Sequence, residues 1–218
     1  MDMKMNGNSN FEIMCIIADR AEMSVHPGDS VLVCCPSLRE EQTQVCLDLL
    51  TPTAPEEINA LSVLFTRSPD EYLAAWQQHV GTYPARNRII TVDADARSKP
   101  ASTDAQESSS DREIERVTSP QNLTRLGVRV SDCLDEWTET ASDRQVVICF
   151  ESVSALLQYV DLDQAFKFLR VLTDRCQEIG AIGHYHMDRR AHDEQTIATL
   201  AELFDTVIEY QGGEWTTR

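Results

Sequence analysis

The sequence predicts an α/β protein, a three-layer sandwich with a mainly parallel central sheet. Three observations carry this. Short apolar runs rich in β-branched residues alternate along the chain with helical stretches of about a dozen residues. The runs are apolar throughout rather than alternating, as strands buried on both faces are. The alternation continues almost to the C-terminus, so one sheet accounts for all 218 residues as a single domain.

The elements follow in order. After the turn His26-Pro27-Gly28-Asp29, Ser30 to Cys35 (SVLVCC) reads as a strand and Pro36-Ser37-Leu38 ends it. Glu40 to Leu50 has a helical stripe of Val45, Cys46, Leu49 and Leu50. Ala60 to Thr66 is the next strand. Ser68-Pro69-Asp70-Glu71 then starts a helix, with Ser at the cap, Pro at the first helical position and acids in the first turn. Tyr72, Leu73, Trp76 and Val80 form its stripe; Tyr72, Trp76 and Trp137 read as core rather than a cofactor box, and Arg88 to Val92 is a third strand. Residues from about 94 to 117 are rich in Ser and acids and poor in large apolar side chains; they read as a mobile surface loop within the domain. Leu123, Leu126, Val130, Leu134 and Trp137 mark an amphipathic helix, and Gln145 to Phe150 a buried strand. Leu162 to Ile179 is a helix ended by Gly180. Ala181 to His186, Asp193 to Phe204 and Thr206 to Tyr210 complete the alternation as strand, helix and strand. Gly212-Gly213 turns the chain into a short antiparallel partner, Glu214 to Thr216.

Charge narrows the function classes. The net charge is −17, with three lysines against sixteen arginines. That surface suits a salt-rich cytoplasm, because at molar salt the Debye length is about 3 Å and self-repulsion is screened. No basic stripe is available to neutralise phosphates, which argues against nucleic acid as a partner. No apolar run approaches the roughly 18 residues of a membrane-spanning helix, and Met1 to Asn10 is polar. A cytoplasmic location is expected. The seven cysteines include no C-x-x-C, and most sit in apolar runs, so they read as reduced, buried small hydrophobes.

In an open parallel sheet the ligand site lies at the carboxyl ends of the strands. The first such loop has the context of a phosphate cradle but not its residues. Cys35 to Thr43 (CPSLREEQT) offers Pro36, Ser37, Arg39 and Thr43, with no Gly, no Lys and two glutamates where an anion would dock. At the end of the strand Gln145–Phe150, Glu151 stands where an acid holds or activates a magnesium-bound water in phosphoryl-transfer enzymes. With no Gly or Lys in the first loop, the reading favoured for it is to cap the helix that follows or to hydrogen-bond within the fold.

The run Val146 to Leu157 (VVICFESVSALL), the order of elements and the downstream strand with its His-rich end resemble the RecA/KaiC-like ATPase superfamily. Within it, the likeness is to KaiC-like proteins of halophilic archaea, from about Phe11 to Tyr210. The resemblance implies a RecA/KaiC-like fold, with Glu151 as the magnesium-site acid and Cys35 to Thr43 as a degenerate phosphate loop. ATP and Mg2+ are then not expected to bind. The implied role is non-catalytic: regulation or signalling through a protein partner or a homo-oligomer. A noncanonical ATPase using Arg39 and Glu151 is the alternative.

The densest polar cluster is Glu151, Ser152, His184, His186, His192 and Asp193. His184 and His186 are two apart on a strand and share one face. The reading favoured here has them hydrogen-bonding across the strand ends to Glu151 and Ser152. The competing reading is a Zn2+ or other divalent site, and a metal-dependent enzyme, with His192, Asp188 or Asp193 as third ligand. Asp193 also suits a helix start.

Overall fold

The computed structural model describes residues 13–17, 21–36, 40–93, 112–140 and 143–217. An N-terminal hairpin, β1 (Ile13–Ile17) and β2 (Ala21–Val25), forms a two-stranded sheet of its own, with Val25 buried in the core beside the main sheet. The alternation then runs β3 (Ser30–Cys34), α1 (Glu40–Leu50), β4 (Ile58–Leu64), α2 (Pro69–His79), β5 (Arg86–Val92) and β6 (Arg112–Val117). It continues with α3 (Leu123–Glu139), β7 (Gln145–Glu151), α4 (Val153–Leu156), α5 (Leu162–Glu178), β8 (Ile182–Met187), α6 (Glu194–Ala201), β9 (Thr206–Gln211) and β10 (Glu214–Thr217).

The eight-stranded sheet has the order β10-β9-β3-β8-β7-β4-β5-β6. All neighbours pair in parallel except β10 with β9, which are antiparallel. Two cores flank it. On one face Val31, Val33, Val147, Cys149 and Ile182 pack with Val45 and Leu49 of α1 and Tyr72 and Trp76 of α2. On the other, Leu32, Ile148, Phe150 and Tyr185 pack with α3, α4, α5 and α6 through residues such as Leu134, Leu156, Leu169 and Leu200. This is the three-layer arrangement expected, with β3, β4 and β8 fully buried.

Local chemistry sets the element ends. Ser68 and Glu71 form a reciprocal capping box at α2, and Asp161 and Gln164 do the same at α5. Gly180 ends α5 with φ +68°, and the Ala181 N–H bonds the Cys176 carbonyl at 2.8 Å, the left-handed turn that glycine adopts without strain.

Residues 112–117 correct the expected loop: they form β6, an edge strand beside β5. Their charges misled the composition argument because an edge strand carries charge by design. Glu113 binds Arg88, Arg116 binds Asp93 at 2.7 Å, and Glu115 is 3.3 Å from Arg129, while Val117 is buried in the core. The rest of the expected loop, residues 94–111, lies outside the described residues. Among those described, no helix is long and apolar enough to cross a membrane.

Candidate functional site

The connections leaving β3 and β8 run in opposite directions across the sheet, one to β4 and the other to β9. The carboxyl ends of β3, β8 and β9 therefore mark a topological switch point, where open α/β sheets bind ligands. A cleft of about 860 Å³ opens there, lined by Pro36, Arg189, Arg190, His192, Glu209 and Tyr210, among others.

Its cations are neutralised from within. Arg189 Nη1 donates to both carboxylate oxygens of Glu209 at 2.8 Å. Arg190 Nη2 donates to Asp188 at 3.0 Å. His192 Nε2 lies 2.8 Å from Ser154 Oγ, which also accepts the Asp188 N–H at 2.9 Å. Burial lowers the His192 pKa, opposed by Asp188 and Asp193. Asp193 is the N-cap of α6, accepting the Thr196 N–H at 2.7 Å, so its role is local.

At the phosphate-loop position, Ser37 and Arg39 lie outside the described residues. Thr43 and Glu151 are described, and a residue the sequence reading missed joins them. Arg67, three positions past β4, donates from Nη2 to Thr43 Oγ1 at 2.8 Å, and the same atom is 3.7 Å from Glu151 Oε1. Register explains the meeting: Leu64 of β4 pairs with Glu151 at the end of β7. Glu151 is only 2% exposed. Burial raises its pKa, while the Arg67 guanidinium and then His186 pull it down. Ser152, not Glu151, caps α4 by accepting the Ala155 N–H at 3.0 Å.

These residues do not fit a magnesium-bound nucleotide. A guanidinium bridges the hydroxyl and carboxylate that would serve the cation, and Pro36 lacks the N–H that a phosphate cradle needs.

His184 and His186 do share a face, with ring centroids 5.1 Å apart. They correct two expectations. Neither hydrogen-bonds Glu151 or Ser152, and His192, Asp188 and Asp193 are not their companions. They point instead toward α1. His184 Nε2 is 3.4 Å from Cys46 Sγ, which is 3.3 Å from Cys149 Sγ. All four side chains are buried. A hydrogen bond from the Cys149 thiol holds Cys46 well below the usual thiol range, against the effect of burial, and the imidazoles add to it. Burial pushes Cys149 well up, and its bond to Cys46 reinforces that. Burial lowers the His184 pKa. Nδ1 of His184 and both ring nitrogens of His186 have no hydrogen-bond partner. Unpaired buried polar groups of this kind each cost about 1–3 kcal/mol.

Sequence reasoning missed Cys46 and Cys149 because they lie 103 positions apart and in no metal-binding spacing. Their one visible signal was type: both are cysteines set in apolar runs.

A model of a family of unknown function, DUF7504, matches residues 28–210. The chain belongs to that family. The match runs from the turn before β3 into β9, so it takes in the Cys/His cluster and all of the cleft lining except Gln211, Gly212 and Gly213. No curated protein matches the sequence. Among solved structures, a Pyrococcus horikoshii OT3 protein determined in a structural study is similar at a TM-score of 0.52 and 10% identity. The similarity covers 87% of this chain and 85% of that one, and at this identity it speaks to the fold alone.

Proposed function

We propose that this chain is a RecA/KaiC-like domain without ATPase chemistry, a cytoplasmic regulatory or signalling module that works by binding protein, whether another protein or its own copies. The observation that carries this reading is Arg67, whose guanidinium bridges Thr43 and the buried Glu151. In the resemblance, those two groups would face magnesium and the outer phosphates. Here a fixed cation stands between them. The pairing of Arg189 with Glu209 and of Arg190 with Asp188 supports the same reading, because a polyanion entering the cleft would have to compete with a carboxylate for each guanidinium.

The cleft itself supports the alternative, a noncanonical nucleotide-binding ATPase, since it lies at the switch point and contains two arginines. One experiment separates the two. Isothermal titration of ATP–Mg2+ into the protein in molar KCl is expected to give no binding below the millimolar range, with no phosphate release. A micromolar dissociation constant refutes the proposal and favours the alternative. The binding role is checked by sedimentation of the chain, alone and in a salt-rich extract. A species heavier than the monomer is expected in at least one, and a monomer in both contradicts the reading.

A further inference from the structure

We infer that Cys46, Cys149, His184 and His186 form a closed, structural zinc site that ties α1 to the centre of the sheet. The inference does not depend on the regulatory reading. The four residues come from three elements: Cys46 from the middle of α1, Cys149 from β7, and His184 and His186 from β8. Parallel pairing places Cys149 directly beside His184. One donor atom from each residue lies within 4.8 Å of all the others. A tetrahedral zinc with Zn–S near 2.3 Å and Zn–N near 2.0 Å requires separations of about 3.8 Å between sulfurs, about 3.6 Å from sulfur to nitrogen and about 3.3 Å between nitrogens. The observed 3.4 Å from His184 Nε2 to Cys46 Sγ is about 0.2 Å short of its value and the 3.3 Å between sulfurs about 0.5 Å short, so the sulfurs need only part slightly to admit the ion.

Three further observations point to a ligand rather than to packing. The side chains are fully buried, and the surrounding core is aliphatic and aromatic, with Val33, Val147 and Ile182 on the same face. His186 has no hydrogen-bond partner at either ring nitrogen, an expensive arrangement in such surroundings and one that coordination relieves. Charge also balances. Binding releases two thiol protons, the two imidazoles stay neutral, and two thiolates cancel the dication, so the filled site carries no net buried charge. The donor set of two sulfurs and two nitrogens suits zinc, and four protein ligands leave no open position for substrate water. The site is therefore structural. It anchors the helix that follows the degenerate phosphate loop, a helix held to the sheet otherwise by apolar side chains such as Val45 and Leu49 and by the Tyr210 hydroxyl, which donates to Glu41 at 3.0 Å.

The test uses the whole chain, refolded in molar KCl with Zn2+ or Co2+, because donors this buried must be loaded as the protein folds. We expect one zinc per chain by elemental analysis after exhaustive dialysis. We expect cobalt to give thiolate charge-transfer bands and the intense visible bands of a tetrahedral centre. Cys46→Ser and His186→Ala should weaken metal binding at least tenfold, whereas His192→Ala should retain full occupancy. Should the variants fail to fold, the cobalt spectrum of the unaltered protein decides. Absence of metal and of cobalt bands in the folded unaltered protein overturns the inference. So does a Cys46–Cys149 disulfide in protein kept under reducing conditions, or full zinc occupancy in the Cys46→Ser/Cys149→Ser double variant.

Discussion

Replacing Arg67 with Met tests the bridge between Thr43 and the buried Glu151. The guanidinium is 3.7 Å from the Glu151 carboxylate, and the two side chains are 11% and 3% exposed. At an effective dielectric constant near 20, a pair at that distance attracts by about 4.5 kcal/mol, and breaking buried pairs typically costs about 3–5 kcal/mol. Glu151 has one escape, which is to take up a proton. Its unfolded pKa is near 4.3, so protonation at pH 7.5 caps the carboxylate's share of the loss at about 4 kcal/mol, and at pH 5.5 at about 1.6 kcal/mol. The sign follows from the direction of the shift. A folded-state pKa raised by burial gives stability that is fully present below the unfolded pKa and is lost as pH rises through the folded one. Arg67→Met should therefore lower stability by about 3–4 kcal/mol at pH 7.5 and by less than about 2 kcal/mol at pH 5.5. Adding Glu151→Gln should restore at least about 2 kcal/mol at pH 7.5, because no charge remains to strand. The assay is urea denaturation in molar KCl at the two pH values. Screening at the surface leaves a pair this buried largely intact. A loss below about 0.5 kcal/mol at pH 7.5, an equal loss at both pH values, or no recovery in the double variant would refute the reasoning.

Other expectations are simpler. With a net charge of −17, the chain should lose secondary structure as KCl falls from molar to millimolar, and circular dichroism that stays constant would contradict this. Gly183→Ala should destabilise by about 1–3 kcal/mol in thermal melts, since overpacking strains a tight core. A β-carbon there would lie 3.0 Å from the Tyr185 ring and 3.2 Å from its hydroxyl. An unchanged melting temperature would show that the ring moves freely. Ser68→Ala removes the acceptor for the Glu71 N–H, at 3.3 Å, and half of the capping box on α2; the expected loss is about 1 kcal/mol by chemical denaturation, and no loss would show that Pro69 alone starts the helix.

Local signals were legible where the chain folds on itself. The Ser68-Pro69-Asp70-Glu71 start, the Gly180 stop and the apolar runs of β3, β4, β7 and β8 act within a few residues, and each appears within two residues of where periodicity and capping chemistry place it. The weak point was β6. Its charges are those of a solvated segment, and only its register on β5 makes it a strand. The β1–β2 hairpin was missed although it is local, because Ala18-Asp19-Arg20 between its strands contains no Gly, Pro or Asn to mark a turn.

The sequence by itself determined the alternation of strands and helices, the parallel sheet buried on both faces, and the shared face of His184 and His186. These follow from periodicities of two and 3.6 residues, which any chain carries locally. Tertiary structure alone decided which strands are neighbours, and with that the chemistry of the sites. The order β3-β8-β7-β4 places Cys149 beside His184 and sets the end of β4, and so Arg67, against Glu151. Packing of α1 over that face brings Cys46 to Cys149 across 103 residues. No spacing rule reports such pairings, because the partners are joined by sheet adjacency, and adjacency is settled by the packing of the whole core.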